Sequence, residues 1–311
     1  MQDVVAANGL RHMSFLYQSM ADYRATVGNF MRNGLARREP VLLAAPNPSV
    51  VMPDWPAGRS ALVTVTDMTE LGRDPARIIP ALRSFVERHV GRRVRIVAET
   101  VWPGRSPAEM GEAARYDALV DLALADLPAT MICPFAAASL PPPALSEAAR
   151  AHPWLLQQDA VVPNSQYSAE STTPEAMGMP MPEVPAGADV VRYSTDLRPV
   201  RAMVTMACQR AGLSAMRATD MTLAISELAA NTLRHTSAGG IAQTWECDGE
   251  LLCQISDSGH ITDPLAGIRR RAGDQPGGQG LWLVHQLCDL VELRTSVAGT
   301  VIRLHMEIRR G

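Results

Sequence analysis

In the first half of the chain, short apolar runs, with apolar residues on both faces, fall at 41–45, 61–66, 94–98 and 130–133. Runs that do not alternate with polar residues predict strands covered on both faces, as in a parallel sheet. Between them the period becomes helical. Residues 21–35 form one such stretch, closed by Gly34 and the Glu39-Pro40 break. Within 75–89, Ile78, Ile79, Leu82, Phe85 and Val86 share one helical stripe. Within 107–125, Ser106 is placed to cap a helix, and Pro107 suits the first position, where no backbone N–H is needed. Strands alternating with helices predict a layered α/β domain.

That rhythm stops at residues 163–188, which are rich in Pro, Ser, Thr and Met. Such a segment cannot bury a core, although its methionines also suit docking on a partner. The predicted organisation is a domain at 1–160, a flexible linker at 161–188 and a second domain at 189–311. In the second domain, 190–194 reads as a strand, 197–211 and 218–234 as helices, and 241–247 and 251–256 as strands. A loop over 257–280 precedes a helix at 281–290 and two strands joined at Gly299. This order predicts helices on one face of a mixed sheet.

Composition narrows the chemistry. The chain has 311 residues, 47% hydrophobic and 20% charged, which suits two globular domains. Its net charge of −3 offers no electrostatic footprint for nucleic acid. All 29 basic residues are arginine, so a Walker-type P-loop, which needs a lysine at the phosphates, is excluded. Cys133, Cys208, Cys247, Cys253 and Cys288 form no C-x-x-C pair, and most lie in apolar runs, as buried thiols of a reducing compartment would. The sequence shows neither a basic-then-apolar leader nor a clean apolar stretch of about 18 residues, so the expected location is cytoplasmic, with no membrane contact.

Three elements of the second domain carry candidate chemistry. Glu227, Asn231 and His235 recur at i, i+4 and i+8, which stacks them on one helical stripe. A solvated helix face has the same spacing, but Asn within a helix is a poor helix former and asks for a reason. The strand at 251–256 then ends in Asp257-Ser258-Gly259, where a carboxylate can accept hydrogen bonds from a ligand in a crevice. Finally, Gly277-Gly278-Gln279-Gly280 precedes a helix, and glycines there let backbone N–H groups approach phosphates. Each element alone is weak; their order and spacing together are specific.

In that order they resemble the N-box and two glycine boxes of the GHKL (Bergerat) ATP-binding fold, an α/β sandwich, over about 120 residues. The resemblance implies that Asn231 holds Mg²⁺, that Asp257 accepts from the adenine amino group, and that Gly259, Gly278 and Gly280 allow close backbone contact. It further implies that His235, Leu281 and Thr300 line the ATP site, and that residues 260–277 form a mobile lid. The wording of 226–235 is most similar to anti-sigma-factor serine/threonine kinases. That likeness implies Glu227 as general base, a STAS-type anti-sigma-factor antagonist as substrate, a sigma factor as second partner, and a homodimer. Two positions depart from the pattern: His260-Ile261 follows the first box, and Trp282, expected to pack the helix under the sheet, stands where many relatives have glycine. Arg269-Arg270-Arg271 in the lid reads either as a phosphate clamp or as a solvated loop. Two other readings are a nucleotide-dependent clamp without catalysis and a sensor histidine kinase. The second needs a phosphorylatable His followed by an acid, and none of the seven histidines has that context.

The first half resembles the MEDS sensory domain over about 9–155. The likeness rests on Arg11-His12, Phe15-Leu16-Tyr17, Glu39-Pro40-Val41-Leu42, Leu71-Gly72-Arg73-Asp74-Pro75, Trp102-x-Gly104-Arg105-Ser106 and Cys133-Pro134-Phe135. It implies a layered α/β domain distantly similar to RecA and KaiC, with a sensory role toward an undefined ligand. The loop at 45–48, after the run read as the first core strand, lacks P-loop glycines and lysine. Glu99, Trp102, Arg105 and Glu112 suit either a pocket or a structural salt-bridge network.

Overall fold

The computed structural model describes residues 9–55, 61–157, 160–168, 181–269 and 279–308. The chain divides into two compact units, residues 1–172 and 173–311.

In the first unit the elements run β1 (Arg11–Tyr17), α1 (Met20–Ala36), β2 (Val41–Ala45), α2 (Pro48–Val51), β3 (Val63–Asp67), α3 (Met68–Leu71), α4 (Ile78–Glu87), β4 (Val94–Ala98), α5 (Pro107–Ala118), α6 (Val120–Leu124), β5 (Ala129–Ala136), α7 (Pro142–Ala151), β6 (Trp154–Gln157) and β7 (Ala160–Pro163). Among the described residues, seven strands form one sheet in the order β3-β2-β4-β5-β1-β6-β7. All neighbours are parallel except β6 and β7. β2 and β4 are buried along their whole length, β2 as its unbroken apolar run requires, β4 with its one polar residue, Arg95, paired with Glu39. The hydrophobic pattern misses β1, because Arg11, His12 and Ser14 interrupt its apolar residues. The sheet therefore begins one strand before 41–45, and β1 pairs with both β5 and β6.

Local signals set several boundaries. The Ser106 hydroxyl accepts from the Glu109 N–H while the Glu109 carboxylate accepts from the Ser106 N–H, a reciprocal cap that starts α5 at Pro107. The stretch read as one helix to 125 instead breaks at Leu119 into α5 and α6. Residues 160–163, at the start of the expected linker, form β7, and the Asn164 amide donates to the carbonyls of Ala149 and His152.

The second unit contains β8 (Asp189–Tyr193), α8 (Arg198–Arg210), α9 (Ala215–His235), β9 (Gly240–Cys247), β10 (Glu250–Asp257), α10 (Gly280–Leu287), β11 (Leu290–Ser296) and β12 (Gly299–Glu307). Its sheet has the order β11-β12-β10-β9-β8. Among the described residues the expected mixed sheet is not found: every pairing is antiparallel. The hairpins β9–β10 and β11–β12 turn the chain back directly, which makes their strands antiparallel. Ser214 caps α9 at Ala215, three residues before the helical pattern became legible. α9 buries Met221, Ala224, Ile225, Leu228, Ala229 and Thr232, a stripe at helical spacing that packs into the core with α8 and α10.

A polar network crosses the sheet. His305 on β12 bonds Glu250 on β10 at 2.8 Å and Glu292 on β11 at 2.9 Å. Nearby, Arg303 donates to Gln254 and to the Pro182 carbonyl, which ties residue 182 to this unit. Burial acts to lower the His305 pKa, but the bonds and charges of Glu250 and Glu292 outweigh it and push it up to about 9. Glu292 is held below its ordinary value: burial opposes this, and the His305 bond prevails. His305 thus contributes stability in full below its ordinary 6.5, and that contribution fades as pH rises toward about 9. Glu292 contributes above its ordinary 4.5 and loses its contribution in acid. We expect the unfolding free energy to fall by on the order of 3 kcal/mol between these two His305 values. Denaturant unfolding of wild type and His305→Gln across that range checks this, and an equal alkaline loss in the variant refutes it.

Candidate functional site

α9 brings the first group of candidate side chains together. Its core stripe turns Leu228 and Thr232 inward and leaves Glu227 and Asn231 half-buried on the adjoining face, with His235 exposed. The start of α10 faces them. A Cβ added to Gly280 would lie 2.9 Å from Glu227 Oε2 and 3.3 Å from Asn231 Nδ2, so the two polar side chains converge on this backbone position. Asn231 Oδ1 accepts a 2.7 Å hydrogen bond from Arg234, whose side chain is exposed.

The end of β10 supplies the second group. Asp257 Oδ2 accepts from the Thr232 hydroxyl at 2.6 Å, and Oδ1 accepts from the Gly259 N–H at 2.8 Å. The carboxylate is thereby fixed in orientation with lone pairs remaining on both oxygens. Thr300 donates from its hydroxyl to the Gly259 carbonyl at 2.8 Å, which ties the loop after β10 to β12. Gly299 adopts φ of +141°, and a Cβ there would meet the Asp257 carbonyl oxygen at 2.4 Å. Gly299→Ala is therefore expected to cost roughly 1–3 kcal/mol and to displace Asp257. A thermal melt matching wild type would contradict that.

These groups enclose a cavity of about 690 Å³, lined among others by Asn231, His235, Asp257, Gly259, Gly280, Leu281 and Thr300. Apolar surface comes from Leu228, Ile255, Leu265 and Ile302. Glu227 reaches this site through its approach to Gly280. The sequence reading overlooked Thr232, which orients Asp257; its signal was a hydroxyl next to Asn231 on a buried stripe. Gly277 and Gly278 lie outside the described residues, as do Arg270 and Arg271. Of the expected lid, the described part is anchored: Leu265 and Ile268 are buried, and the Ile261 N–H donates to Thr295. Trp282 is half-buried, and α10 instead packs inward through Leu281, Val284 and His285.

In the first unit, Glu99 is buried at the end of β4 and accepts from the Tyr17 hydroxyl at 3.0 Å. Burial pushes its carboxyl up to about 7. Arg105 does not pair with it, although one of the two readings of these residues required that pairing. Its guanidinium stacks on Trp102, 3.5 Å from the ring centre, and donates to the Thr100 and Gly72 carbonyls. Glu112 pairs with Arg115.

Comparison with known proteins agrees with this division. Residues 192–306 match the histidine kinase-like ATPase domain, and residues 11–153 match the methanogen/methylotroph, DcmR sensory domain (MEDS). The chain thus carries a MEDS domain followed by a GHKL-type ATPase domain. No curated protein matches it. Among solved structures, one that is similar is the crystal structure of the RsbU and RsbW domains of a Mycobacterium tuberculosis protein, at 19% identity and a TM-score of 0.31. The match covers 41% of this chain and 34% of that one, about a third of its length. Among the described residues, no helix is long and apolar enough to cross a membrane.

The donor set suits Mg-ATP. The cavity joins an apolar wall to an oriented carboxylate, and Asn231 offers the oxygen a hard cation takes. Arg234 is the present partner of that oxygen, and being exposed it can swing away without breaking the core.

Proposed function

We propose that this protein is an ATP-dependent serine/threonine kinase of the partner-switching type. Its substrate is a STAS-type anti-sigma-factor antagonist, its other partner is a sigma factor, and the cytoplasm is its place of action. The N-terminal domain senses a ligand and governs the C-terminal domain. The observation that carries the reading is the convergence of Glu227 and Asn231 on Gly280, beside a cavity that also holds Asp257.

In this reading Asp257 accepts from the adenine amino group, held for the purpose by Thr232 and Gly259. Leu228, Ile255 and Ile302 cover the base. Asn231 offers its side-chain oxygen to Mg²⁺, which when bound neutralises phosphate charge and orients the transferred group. Glu227 lies one helical turn before Asn231, so its carboxylate is near the terminal phosphate, where a partner's hydroxyl arrives and gives up its proton. Gly280, lacking a side chain, lets the phosphates approach the start of α10.

The contact of Arg234 with Asn231 favours a second reading, a nucleotide-dependent clamp with no transfer. The test is incubation of the full chain with γ-labelled Mg-ATP, STAS-domain proteins and sigma factors, followed by phosphosite mapping. Acid-stable phosphate on a Ser or Thr of the STAS protein supports the kinase. ATP-dependent partner capture without transfer supports the clamp. Acid-labile phosphohistidine on this chain defeats both.

A further inference from the structure

We propose that the N-terminal domain holds a transition-metal ion of the Zn²⁺ class in a buried site made by His12, Asp117, Cys133 and His152. One donor atom from each of the four residues falls within 4.8 Å of all the others. His12 and Cys133 project from one face of the sheet: in the β1–β5 register Ser14 pairs with Cys133, so His12 and Cys133 are diagonal neighbours. Asp117 comes from the end of α5, and His152 follows α7 directly. None is more than 2% exposed.

The orientation of each ligand supports the assignment. His12 Nε2 lies 3.3 Å from Cys133 Sγ, while its Nδ1 lies 3.4 Å from the Asp121 carboxylate. His152 Nδ1 bonds the Ala148 carbonyl at 2.7 Å, which aims Nε2 into the cluster, 3.6 Å from Asp117 Oδ2. Asp117 Oδ1 accepts from the Thr100 hydroxyl, leaving Oδ2 for the cluster. His152 and Asp117 are thus held as metal ligands are, with the atom away from the ion bonded to a carbonyl or hydroxyl, and His12 turns its far nitrogen toward a carboxylate. Among the described residues His152 Nε2 has no hydrogen-bond partner, though it is fully buried. A buried polar atom left so is destabilising unless something else fills the site.

Charge and donor type narrow the occupant. One thiolate, one carboxylate and two neutral imidazoles sum to −2, so a divalent cation gives a neutral assembly, the form a dry interior tolerates. Sulfur and imidazole donors favour Zn²⁺ and its neighbours over Mg²⁺ or Ca²⁺. Four protein ligands fill a tetrahedral shell, which is the arrangement of a structural site rather than a catalytic one. The ion would join the sheet, α5 and α7 in one linkage, so binding should stabilise the domain. This inference is independent of the nucleotide site.

The test uses tag-free full-length protein, chelated under reducing conditions and titrated with Co²⁺ and then Zn²⁺. We expect about one equivalent of Co²⁺, a thiolate-to-metal absorption band with tetrahedral visible bands, displacement by Zn²⁺, and a Tm raised by about 5 °C. Cys133→Ala should remove the thiolate band. Thr100→Val keeps all four ligands and should weaken the metal about tenfold to a hundredfold, which protects the test if the cysteine variant does not fold. Wild type without a thiolate band at saturating Co²⁺, or a band that survives Cys133→Ala, overturns the site.

Discussion

Glu227→Ala is expected to keep ATP binding and to lose phosphotransfer by about a hundredfold to ten-thousandfold, the contribution of a positioned base. Glu227 is half-buried on α9 and points toward Gly280, where the terminal phosphate and the incoming hydroxyl would meet. The cavity lining at the Asp257 end does not include it, so ground-state affinity should change little. Loss of a negative charge near the phosphates can only favour binding. Asn231→Ala should instead weaken Mg-ATP binding and transfer together, because in the proposed mechanism Asn231 would contribute a ligand oxygen. Measuring ATP affinity and the transfer rate in both variants separates the roles. Transfer at the wild-type rate by Glu227→Ala would remove the base from the mechanism and leave a solvated helix residue.

Asp257→Asn is expected to weaken ATP binding about tenfold to a hundredfold, equivalent to roughly 1.5–3 kcal/mol for a hydrogen bond to a charged group. The carboxylate receives two donors, the Thr232 hydroxyl and the Gly259 N–H. An amide presents one oxygen and one NH₂ to the same partners. Unless its NH₂ turns to the Thr232 hydroxyl, it sets that group against the Gly259 N–H or the adenine amino group. Discrimination between ATP and GTP should fall with affinity, and calorimetry with both nucleotides measures it. Unchanged ATP affinity would remove Asp257 from adenine recognition. Thr232→Val, which removes one of the two donors, should show a smaller loss in the same direction.

How much was legible varied with how local the determining physics was. Helix α9 and the end of β10 were readable because spacing within one element places its side chains. The Ser106 cap, the fully apolar strand β2 and the mostly apolar β4 were readable for the same reason. β1 was not, since a strand buried beside two neighbours can carry polar residues once tertiary partners satisfy them, and His12 has Cys133 within 3.3 Å. The early start of α9 followed from the Ser214 cap, whose worth shows only when its hydroxyl meets the Arg217 N–H. The antiparallel second sheet followed from hairpin pairing, which helical and strand periods do not encode.

By itself the sequence determined the α/β fold class and the absence of a lysine-dependent P-loop, and it predicted the candidate stripe Glu227, Asn231 and His235 beside Asp257. Those features depend on residue identity and on spacing along one element. Only the tertiary structure decided that Thr232 orients Asp257, that Arg105 stacks on Trp102 without pairing with Glu99, and that Glu227 meets Gly280 across 53 positions of chain. It alone brought His12, Asp117, Cys133 and His152 within 4.8 Å. These residues come from a strand, a helix end, a second strand and the residue after another helix, so no local motif records them. Their meeting depends on β1 pairing with β5 and on α5 and α7 covering that face, because side chains distant in sequence become neighbours only when the buried sheet and helices close over them.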